Sequence, residues 1–272
     1  SAALMLDQAG FKSELYEARA TLGGGLIASA APPFKEKLEW YQHYLEHRLK
    51  HSNVNVQLNT TADMHTLEGI RPAVVVMAVG GNAVTLPVAG IGNAIVHDAY
   101  EVLMGDSSWL PPPGGAPVVV YGGGETGCET AEYLAERGHA VILVSRSPAR
   151  QLARSAEMIY RSVLTRRLAD NPHIRIIDNT SITTIAANGD VSLLTTGAGA
   201  SGVTTIQASR ILIAQGRRPD VGMTQQLLDA GIPVTAIGDA RKGGRIGDAV
   251  HHAYAAVQAL CATQAEVKQL AC

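Results

Sequence analysis

A glycine motif that follows an apolar run constrains this chain more than any other feature. Gly122, Gly124 and Gly127 form the pattern GxGxxG, after a predicted strand over residues 116–121 and at the start of a predicted helix over residues 125–137. This setting is typical of the first βα unit of a dinucleotide-binding domain. Gly122 permits the tight turn, Gly124 lets the backbone approach a pyrophosphate, and Gly127 lets the helix pack closely on the strand. The motif predicts a nucleotide-dependent redox protein; a glycine-rich turn without a ligand is the alternative.

The residues after the motif extend the predicted site. At the start of the helix, Glu125 and Thr126 bring backbone N–H groups and the positive end of the helix dipole toward a phosphate. The next predicted strand ends before Ser145 and Arg146, with Arg150 close behind. An NAD-preferring site usually carries Asp or Glu there, whereas a hydroxyl with two guanidinium groups suits a 2′-phosphate. NADP(H) is therefore favoured over NAD(H), and a solvated basic turn is the alternative.

Composition bounds the class of protein. The 272 residues allow two modest domains, and 46% hydrophobic residues with only 4% aromatic ones suit parallel sheets that are buried on both faces. A net charge of −2 without long basic blocks argues against nucleic acid, and no apolar run has the length of a membrane span. The start of the chain lacks a signal-peptide pattern. The three cysteines, Cys128, Cys261 and Cys272, lie far apart and form no CxxC motif. We expect a cytoplasmic protein without a nucleic-acid partner, a membrane partner or a metal site.

The order of predicted elements indicates an α/β architecture with two Rossmann-like, three-layer domains. A helix over residues 1–10 and a strand over residues 12–17 make half of a βαβ unit, so a first strand and its glycine turn are expected to be missing before Ser1. The later elements are predicted as a helix over 35–50, strands over 54–58 and 73–79, a turn-rich crossing over 106–115, a strand over 140–144, a helix over 156–170, a strand over 174–177, a meander over 180–207, strands over 209–214 and 234–237, and a helix from residue 246.

Two weaker features together suggest a second nucleotide site, and a third element could bind a polyol. Glu17 ends a predicted strand, where a carboxylate can accept hydrogen bonds from an adenosine ribose, although a lone Glu there is more often simply exposed. Gly24 and Gly25 lie in a loop that can approach a ligand closely. Gly238 and Asp239 follow another predicted strand, where the carboxylate could accept hydrogen bonds from a polyol such as a ribityl chain, or cap the next helix.

In combination, these motifs resemble the two-dinucleotide-binding-domain flavoproteins of the pyridine nucleotide-disulfide oxidoreductase fold. The likeness is narrower with the C-terminal region of the 2,4-dienoyl-CoA reductase and trimethylamine dehydrogenase group. The narrower likeness rests on LYEA at 15–18, LGGGL at 22–26, APPFK at 31–35, AVG at 78–80 and VLMG at 102–105. LIAQGRRPD at 212–220 is similar to the strand-to-glycine return of the broader family ahead of its flavin domain.

The resemblance implies an arrangement of domains and cofactors. An FAD-binding-type (or ADP-binding-type) domain, lacking its N-terminal part, would comprise residues 1–110 and 215–272, and an NAD(P)-binding-type domain, residues 111–214, would be inserted in it. NAD(P)H would lie along Gly122–Gly127. The FAD or ADP site would include Glu17, Ala18, Arg19, Gly24, Gly25, Leu26, Ala78, Gly80, Gly216, Gly238 and Asp239.

The same resemblance implies a role in electron transfer. Hydride would pass from NADPH to FAD, and electrons onward through a 4Fe-4S cluster to FMN in an Old Yellow Enzyme-like barrel, which reduces an activated alkene as in enoate or dienoyl-CoA reductases. The alternatives are an amine dehydrogenase or N-demethylase and a non-catalytic nucleotide-binding domain. The barrel and the cluster region, the expected partner of this module, are absent from the sequence. The first glycine motif is absent too, as is the CxxC of thioredoxin and lipoamide reductases. No general acid or base is assigned, and homo-oligomerisation is left open.

Overall fold

The computed structural model describes residues 1–196 and 201–270 of the protein. Residues 197–200, inside the predicted meander, and Cys272 lie outside the described residues. The helices are, in chain order, α1 (Ala2–Gln8), α2 (Gly25–Ala30), α3 (Glu36–Lys50), α4 (Met64–Ile70), α5 (Ala99–Leu103), α6 (Glu125–Ala135), α7 (Met158–Asp170), α8 (Gly222–Asp229) and α9 (Ile246–Leu270).

The strands are short, with three to six residues each. They are, in chain order, β1 (Glu14–Tyr16), β2 (Asn55–Gln57), β3 (Val75–Met77), β4 (Gly81–Ala83), β5 (Val96–Asp98), β6 (Val118–Tyr121), β7 (Val141–Val144), β8 (Ile174–Ile177), β9 (Thr180–Ile185), β10 (Asp190–Thr195), β11 (Gly202–Gln207), β12 (Arg210–Ile213), β13 (Arg217–Pro219) and β14 (Val234–Ala236). Single-turn 3-10 helices lie at Ala149–Gln151 and Gly238–Ala240.

The described chain divides into two compact units. Unit 1 comprises residues 1–26, 37–82 and 217–272, and unit 2 comprises residues 27–36 and 83–216. Residues 83–110, assigned from the sequence to the first domain, thus pack with unit 2. The reason is that β5 pairs in parallel with β12, while α5 buries its apolar side chains in the core of unit 2. Which cofactor each unit binds stays a prediction.

Unit 2 is built on a five-stranded parallel sheet of order β5-β12-β6-β7-β8. Its central strands β6 and β7 are buried along their whole length. Alternate side chains of β6 enter two different cores, since successive residues of a strand point to opposite faces. Val118 and Val120 pack toward α6 and α7, whereas Val119 and Tyr121 pack against the antiparallel sheet β11-β10-β9. Burial on both faces explains why these strands read as continuous apolar runs.

The strands of unit 1 form two-stranded sheets. Strand β1 pairs in parallel with β2, and β14 pairs in parallel with β3. Helices α1 and α3 bury Leu4 and Leu49 against Val54, next to β2. Helices α4 and α8 bury Leu67 and Leu227 against Met77 of β3. Each parallel pair is thus covered by helices, which is α/β packing at small scale.

The architecture confirms the predicted α/β class with parallel sheets and Rossmann-like folds. The predicted helices and strands of the two units form, with ends that differ by a few residues, and the meander is the sheet β11-β10-β9. Sequence patterns missed α2, α4, α5, α8, β4, β5 and β13. These elements span three to eight residues, too few for a periodic signal to develop. Among the residues described, no helix has both the length and the apolar character needed to cross a membrane.

Candidate dinucleotide-binding site

The glycine motif of unit 2 forms a tight turn between β6 and α6. Gly122 has φ +148°, and a Cβ added to it would lie 2.1 Å from the carbonyl oxygen of Ala214. A Cβ on Gly127 would lie 1.9 Å from the carbonyl oxygen of Gly122. Since both distances are far below any real contact, these two glycines are required by packing, with or without a ligand. They allow helix α6 to approach the sheet closely.

Gly124 has a different environment. It is exposed, and a Cβ added to it would meet no atom within 4 Å beyond its chain neighbours. It is the N-cap residue of α6 and, as a glycine, it has no side chain that could cap this helix start by a hydrogen bond. The backbone N–H groups of Glu125 and Thr126 belong to this uncapped first turn. The open space beside Gly124, next to a positive helix end, fits a pyrophosphate.

The three residues predicted to bind a 2′-phosphate lie in the turn after β7, and they differ in their exposure to solvent. Ser145 is buried, and its hydroxyl donates to the carbonyl oxygen of Ser147 at 2.9 Å while accepting from the Ser147 backbone N–H at 3.1 Å. Its hydroxyl therefore shapes the turn. Arg146 and Arg150 are exposed at the same tip. The Ser145 hydroxyl is thus occupied within the turn, whereas Arg146 and Arg150 are exposed.

One side chain that contacts Arg146 was not predicted from the sequence. Gln215 follows β12, and its Nε2 donates to the carbonyl oxygen of Tyr121 at 3.0 Å. Its Oε1 accepts from Nη2 of Arg146 at 2.7 Å. Only its position after a predicted strand could have indicated this residue. Since β12, β6 and β7 are adjacent parallel strands, the residues after their carboxyl ends meet at one edge of the sheet.

Behind the glycine turn, α6 carries buried charge that was also missed. Glu129 accepts hydrogen bonds from Lys35 Nζ and from the Tyr160 hydroxyl, the latter at 2.8 Å. Burial raises the pKa of the Glu129 carboxyl, although Lys35 and Tyr160 oppose the shift. Burial and the neighbouring Glu129 carboxylate raise the pKa of the Tyr160 phenol. These contacts anchor Lys35 and its segment to α6 and α7.

A second buried pair lies one helical turn further along α6. Arg167 of α7 donates to Glu132 through Nε at 2.5 Å and Nη2 at 2.9 Å, a two-pronged contact. The guanidinium carbon of Arg167 also lies 4.7 Å from the ring centre of Phe34. Cys128 on the same helix is buried, and burial raises the pKa of its thiol to about 12. This thiol packs in the hydrophobic core of unit 2.

In unit 1, the first group of predicted FAD or ADP residues lies beside β2. Glu17 Oε1 accepts from the Arg19 backbone N–H at 2.9 Å, so the carboxylate braces the turn that begins there. Ala18 and Arg19 are exposed in this turn. The Glu17 carbonyl oxygen accepts from Thr60 N–H at 2.9 Å, which ties the turn to the chain after β2.

The predicted glycine loop of this site lies further along the chain. A Cβ added to Gly24 would meet no atom within 4 Å. Gly25 and Leu26 begin the short helix α2. The loop therefore has room at Gly24 for the close approach of a ligand.

A second group of predicted residues follows the paired strands β3 and β14. Ala78 is exposed, and a Cβ added to Gly80 would meet no atom within 4 Å. The Ile237 N–H donates to Met77 O at 2.9 Å, so the two strand ends lie side by side. Gly238 and Asp239 follow β14 in a 3-10 turn.

Asp239 holds the loop that follows it, and Gly216 lies in unit 2. The Asp239 carboxylate accepts from Gly244 N–H at 3.2 Å, and α9 starts later, at Ile246, so Asp239 does not cap that helix. Gly216 is exposed after β12, and its carbonyl oxygen accepts from Val84 N–H at 3.1 Å. Among the described residues, no cluster of three His, Cys, Asp or Glu side chains suits a metal ion.

Comparison with known proteins identifies a family. The family model described as pyridine nucleotide-disulphide oxidoreductase matches residues 1–242. An NADH oxidase of Thermoanaerobacter brockii is 34% identical over 259 residues, which cover 92% of this chain and 37% of that protein. This match and the family model confirm the resemblance inferred from the sequence.

Two solved structures share the fold. A 2-naphthoyl-CoA reductase complex superposes with a TM-score of 0.82 at 24% identity, over 93% of this chain and 37% of that one. Histamine dehydrogenase from Rhizobium sp. 4-9 superposes with a TM-score of 0.75 at 22% identity, over 94% and 41%. The chain thus spans well under half the length of the proteins it matches.

Proposed function

Because the chain belongs to the pyridine nucleotide-disulphide oxidoreductase family, we propose that it is the electron-transfer module of a flavin-dependent oxidoreductase that is reduced by NADPH. The observation that carries the proposal is the carboxyl edge of the unit 2 sheet. There an open glycine, an uncapped helix start and two exposed guanidinium groups follow adjacent strands. This set of groups suits a dinucleotide with an additional phosphate.

Within unit 2, each group has a distinct task toward NADPH. Gly124 and the N–H groups of Glu125 and Thr126 would hold the pyrophosphate. Arg146 and Arg150 would bind the 2′-phosphate, since the planar guanidinium matches phosphate oxygens in pairs. These residues bind and orient the nucleotide, and none of them needs to donate or accept a proton.

Within unit 1, the residues present fit an FAD or ADP moiety at several points. Glu17 stands at a strand end where it could accept hydrogen bonds from ribose hydroxyls, and the open space at Gly24 and Gly80 allows backbone to approach the ligand. Gly238 and Asp239 would face a polyol chain at the end of β14. Bound FAD supplies a ring system that accepts hydride and releases single electrons.

We place the substrate chemistry in another part of the parent protein. The chain covers 37% of the NADH oxidase that it resembles, which leaves ample length for an FMN barrel and a 4Fe-4S region as partners. An enoate or dienoyl-CoA type of reduction agrees with the fold shared with 2-naphthoyl-CoA reductase. Amine oxidation is the second candidate, because histamine dehydrogenase shares the fold as well.

Stopped-flow absorbance of the full-length protein tests the proposal. Mixing with NADPH should bleach the flavin band, and NADPH should act at lower concentration than NADH. Arg146→Glu should raise the apparent KM for NADPH by about tenfold or more while changing that for NADH little, because one phosphate contact is replaced by repulsion. Equal effects on both nucleotides would show that Arg146 does not bind the 2′-phosphate.

The same experiment separates the alternatives. Flavin that stays oxidised with NADPH but bleaches with an amine would assign the protein to the amine-oxidising branch. Nucleotide binding without any bleaching by either reductant would indicate a non-catalytic nucleotide-binding domain.

A further inference from the structure

We infer that Gln215 is a positioning residue that sets the preference for 2′-phosphorylated dinucleotides by holding Arg146. The inference rests on the proposed use of NADPH and adds a residue to it. Gln215 would not touch the phosphate. Its effect would reach the nucleotide through the guanidinium of Arg146.

The contacts of Gln215 fix its amide at both ends. The NH₂ group faces the Tyr121 carbonyl oxygen at 3.0 Å, and the opposite oxygen faces Nη2 of Arg146 at 2.7 Å. Since a carbonyl oxygen only accepts and a guanidinium only donates, the amide has one orientation that satisfies both partners. The amide, 69 residues after Arg146 in the chain, therefore links the turn after β7 to Tyr121, which directly precedes Gly122.

This link matters because Arg146 is exposed and long. Without a tether, ordering such a side chain on a ligand reduces the affinity gained from the contact. The amide occupies only one of the five N–H donors of the guanidinium, so the others remain for phosphate oxygens. The amide is also neutral, and it therefore orients the cation without cancelling its charge. Glutamate at this position would cancel that charge and would turn a carboxylate oxygen toward Tyr121 O.

Calorimetric binding of NADP⁺ and NAD⁺ to the full-length protein tests the inference, because the oxidised nucleotides bind without turnover. Gln215→Met keeps the length of the side chain and removes both hydrogen bonds. It should weaken NADP⁺ binding by about 3- to 10-fold, the range of one or two net hydrogen bonds, and NAD⁺ binding by less than about twofold. Gln215→Glu should weaken NADP⁺ binding further, because it neutralises Arg146.

A double-mutant cycle shows whether Gln215 acts through Arg146. In an Arg146→Met background, adding Gln215→Met should cause no further loss of NADP⁺ affinity, since the tether then holds nothing. Gln207→Met is the matched control: this exposed glutamine bonds to Asp190 in the antiparallel sheet, and its loss should leave both affinities unchanged. If Gln215→Met does not fold, Gln215→Asn, too short to span both partners, replaces it in the cycle.

The outcomes distinguish a failure of the positioning role from a failure of the proposed NADPH preference. Additive losses in the cycle, or equal losses for NADP⁺ and NAD⁺, would overturn the positioning role of Gln215. So would a wild-type preference for NADP⁺ that Arg146→Met abolishes and Gln215→Met leaves intact. If instead the wild type binds both nucleotides equally, the proposed NADPH preference itself fails.

Discussion

At the scale of single residues, the three motif glycines are required for different physical reasons. Gly122 and Gly127 meet backbone oxygens at 2.1 and 1.9 Å from a hypothetical Cβ, whereas Gly124 meets open space. The first two are therefore demanded by the fold, and the open space at the third leaves room for the pyrophosphate that we propose. The structure supports the different roles predicted from the motif for Gly122 and Gly127, because a side chain at either position would collide with backbone.

A pair of alanine substitutions measures this difference. Gly127→Ala should reduce the free energy of unfolding by about 3 kcal/mol, because the methyl group forces the helix away from the turn. Gly124→Ala should change it by less than about 1 kcal/mol, since φ −73° and ψ 177° are open to alanine. The same Gly124→Ala protein should bind NADP⁺ roughly tenfold more weakly, because the methyl group occupies the approach of the pyrophosphate.

Chemical denaturation and calorimetry of the two variants provide the readout. A Gly124→Ala protein with wild-type affinity for NADP⁺ would mean that the pyrophosphate does not approach this turn.

Ser145 is another residue whose role the structure changes. Its residue type suits a phosphate, but its burial and its bonds to Ser147 commit it to the turn.

At the scale of elements, the segment 27–36 is held on α6 and α7 by charge. Lys35 and Glu129 have side chains that are 15% and 7% exposed, and Tyr160 shares the same carboxylate oxygen. A buried pair of this kind contributes little against an apolar replacement, but removal of one partner leaves the other buried and unpaired. The short α2 and the loop after it thus depend on a contact far away in sequence.

Lys35→Met should therefore lower the free energy of unfolding by about 3 kcal/mol at neutral pH, because the Glu129 carboxylate loses its cation. Adding Glu129→Gln should recover part of this loss. Lys37→Met, which removes an exposed lysine two residues away, serves as control and should be nearly neutral. Denaturant unfolding of the four proteins measures these differences, and a double variant no more stable than Lys35→Met would contradict the explanation.

The pH dependence of Lys35→Met follows from the pKa of Glu129. Burial already raises this pKa above its ordinary value of 4.5, and loss of Lys35 raises it further. A carboxyl with a raised pKa in the folded state loses stability as pH rises from the unfolded-state pKa through the folded-state pKa. The deficit of Lys35→Met should thus be largest at neutral pH and shrink as pH falls toward 4.5.

At the scale of the whole molecule, the two units differ in how their sheets are formed. Unit 2 contains a continuous five-stranded parallel sheet with both faces covered, while the strands of unit 1 pair two by two. The groups that we assign to NADPH all belong to unit 2, and most of those assigned to FAD or ADP belong to unit 1. Nucleotide binding should therefore stabilise one unit selectively.

Hydrogen exchange of the full-length protein checks this. NADP⁺ at about 100 times its Kd should stabilise the binding-competent state by about 2.7 kcal/mol, and amides over residues 122–128 and 145–150 should exchange more slowly. Amides over residues 14–24 and 75–80 of unit 1 should change little. Slower exchange confined to those unit 1 segments would place NADP⁺ in unit 1 and contradict its assignment to unit 2.

The sequence by itself determined the strand–turn–helix of the nucleotide motif, the α/β class and the positions of Arg146 and Arg150 after β7. These follow from local rules, because backbone sterics select glycine in the turn and burial on both faces selects apolar strands. Only the tertiary structure decided which side chains meet. Arg146 and Gln215 are 69 residues apart, and Lys35 and Glu129 are 94 apart. Their contacts depend on the strand order β12-β6-β7 and on helix packing, which local periodicity does not encode.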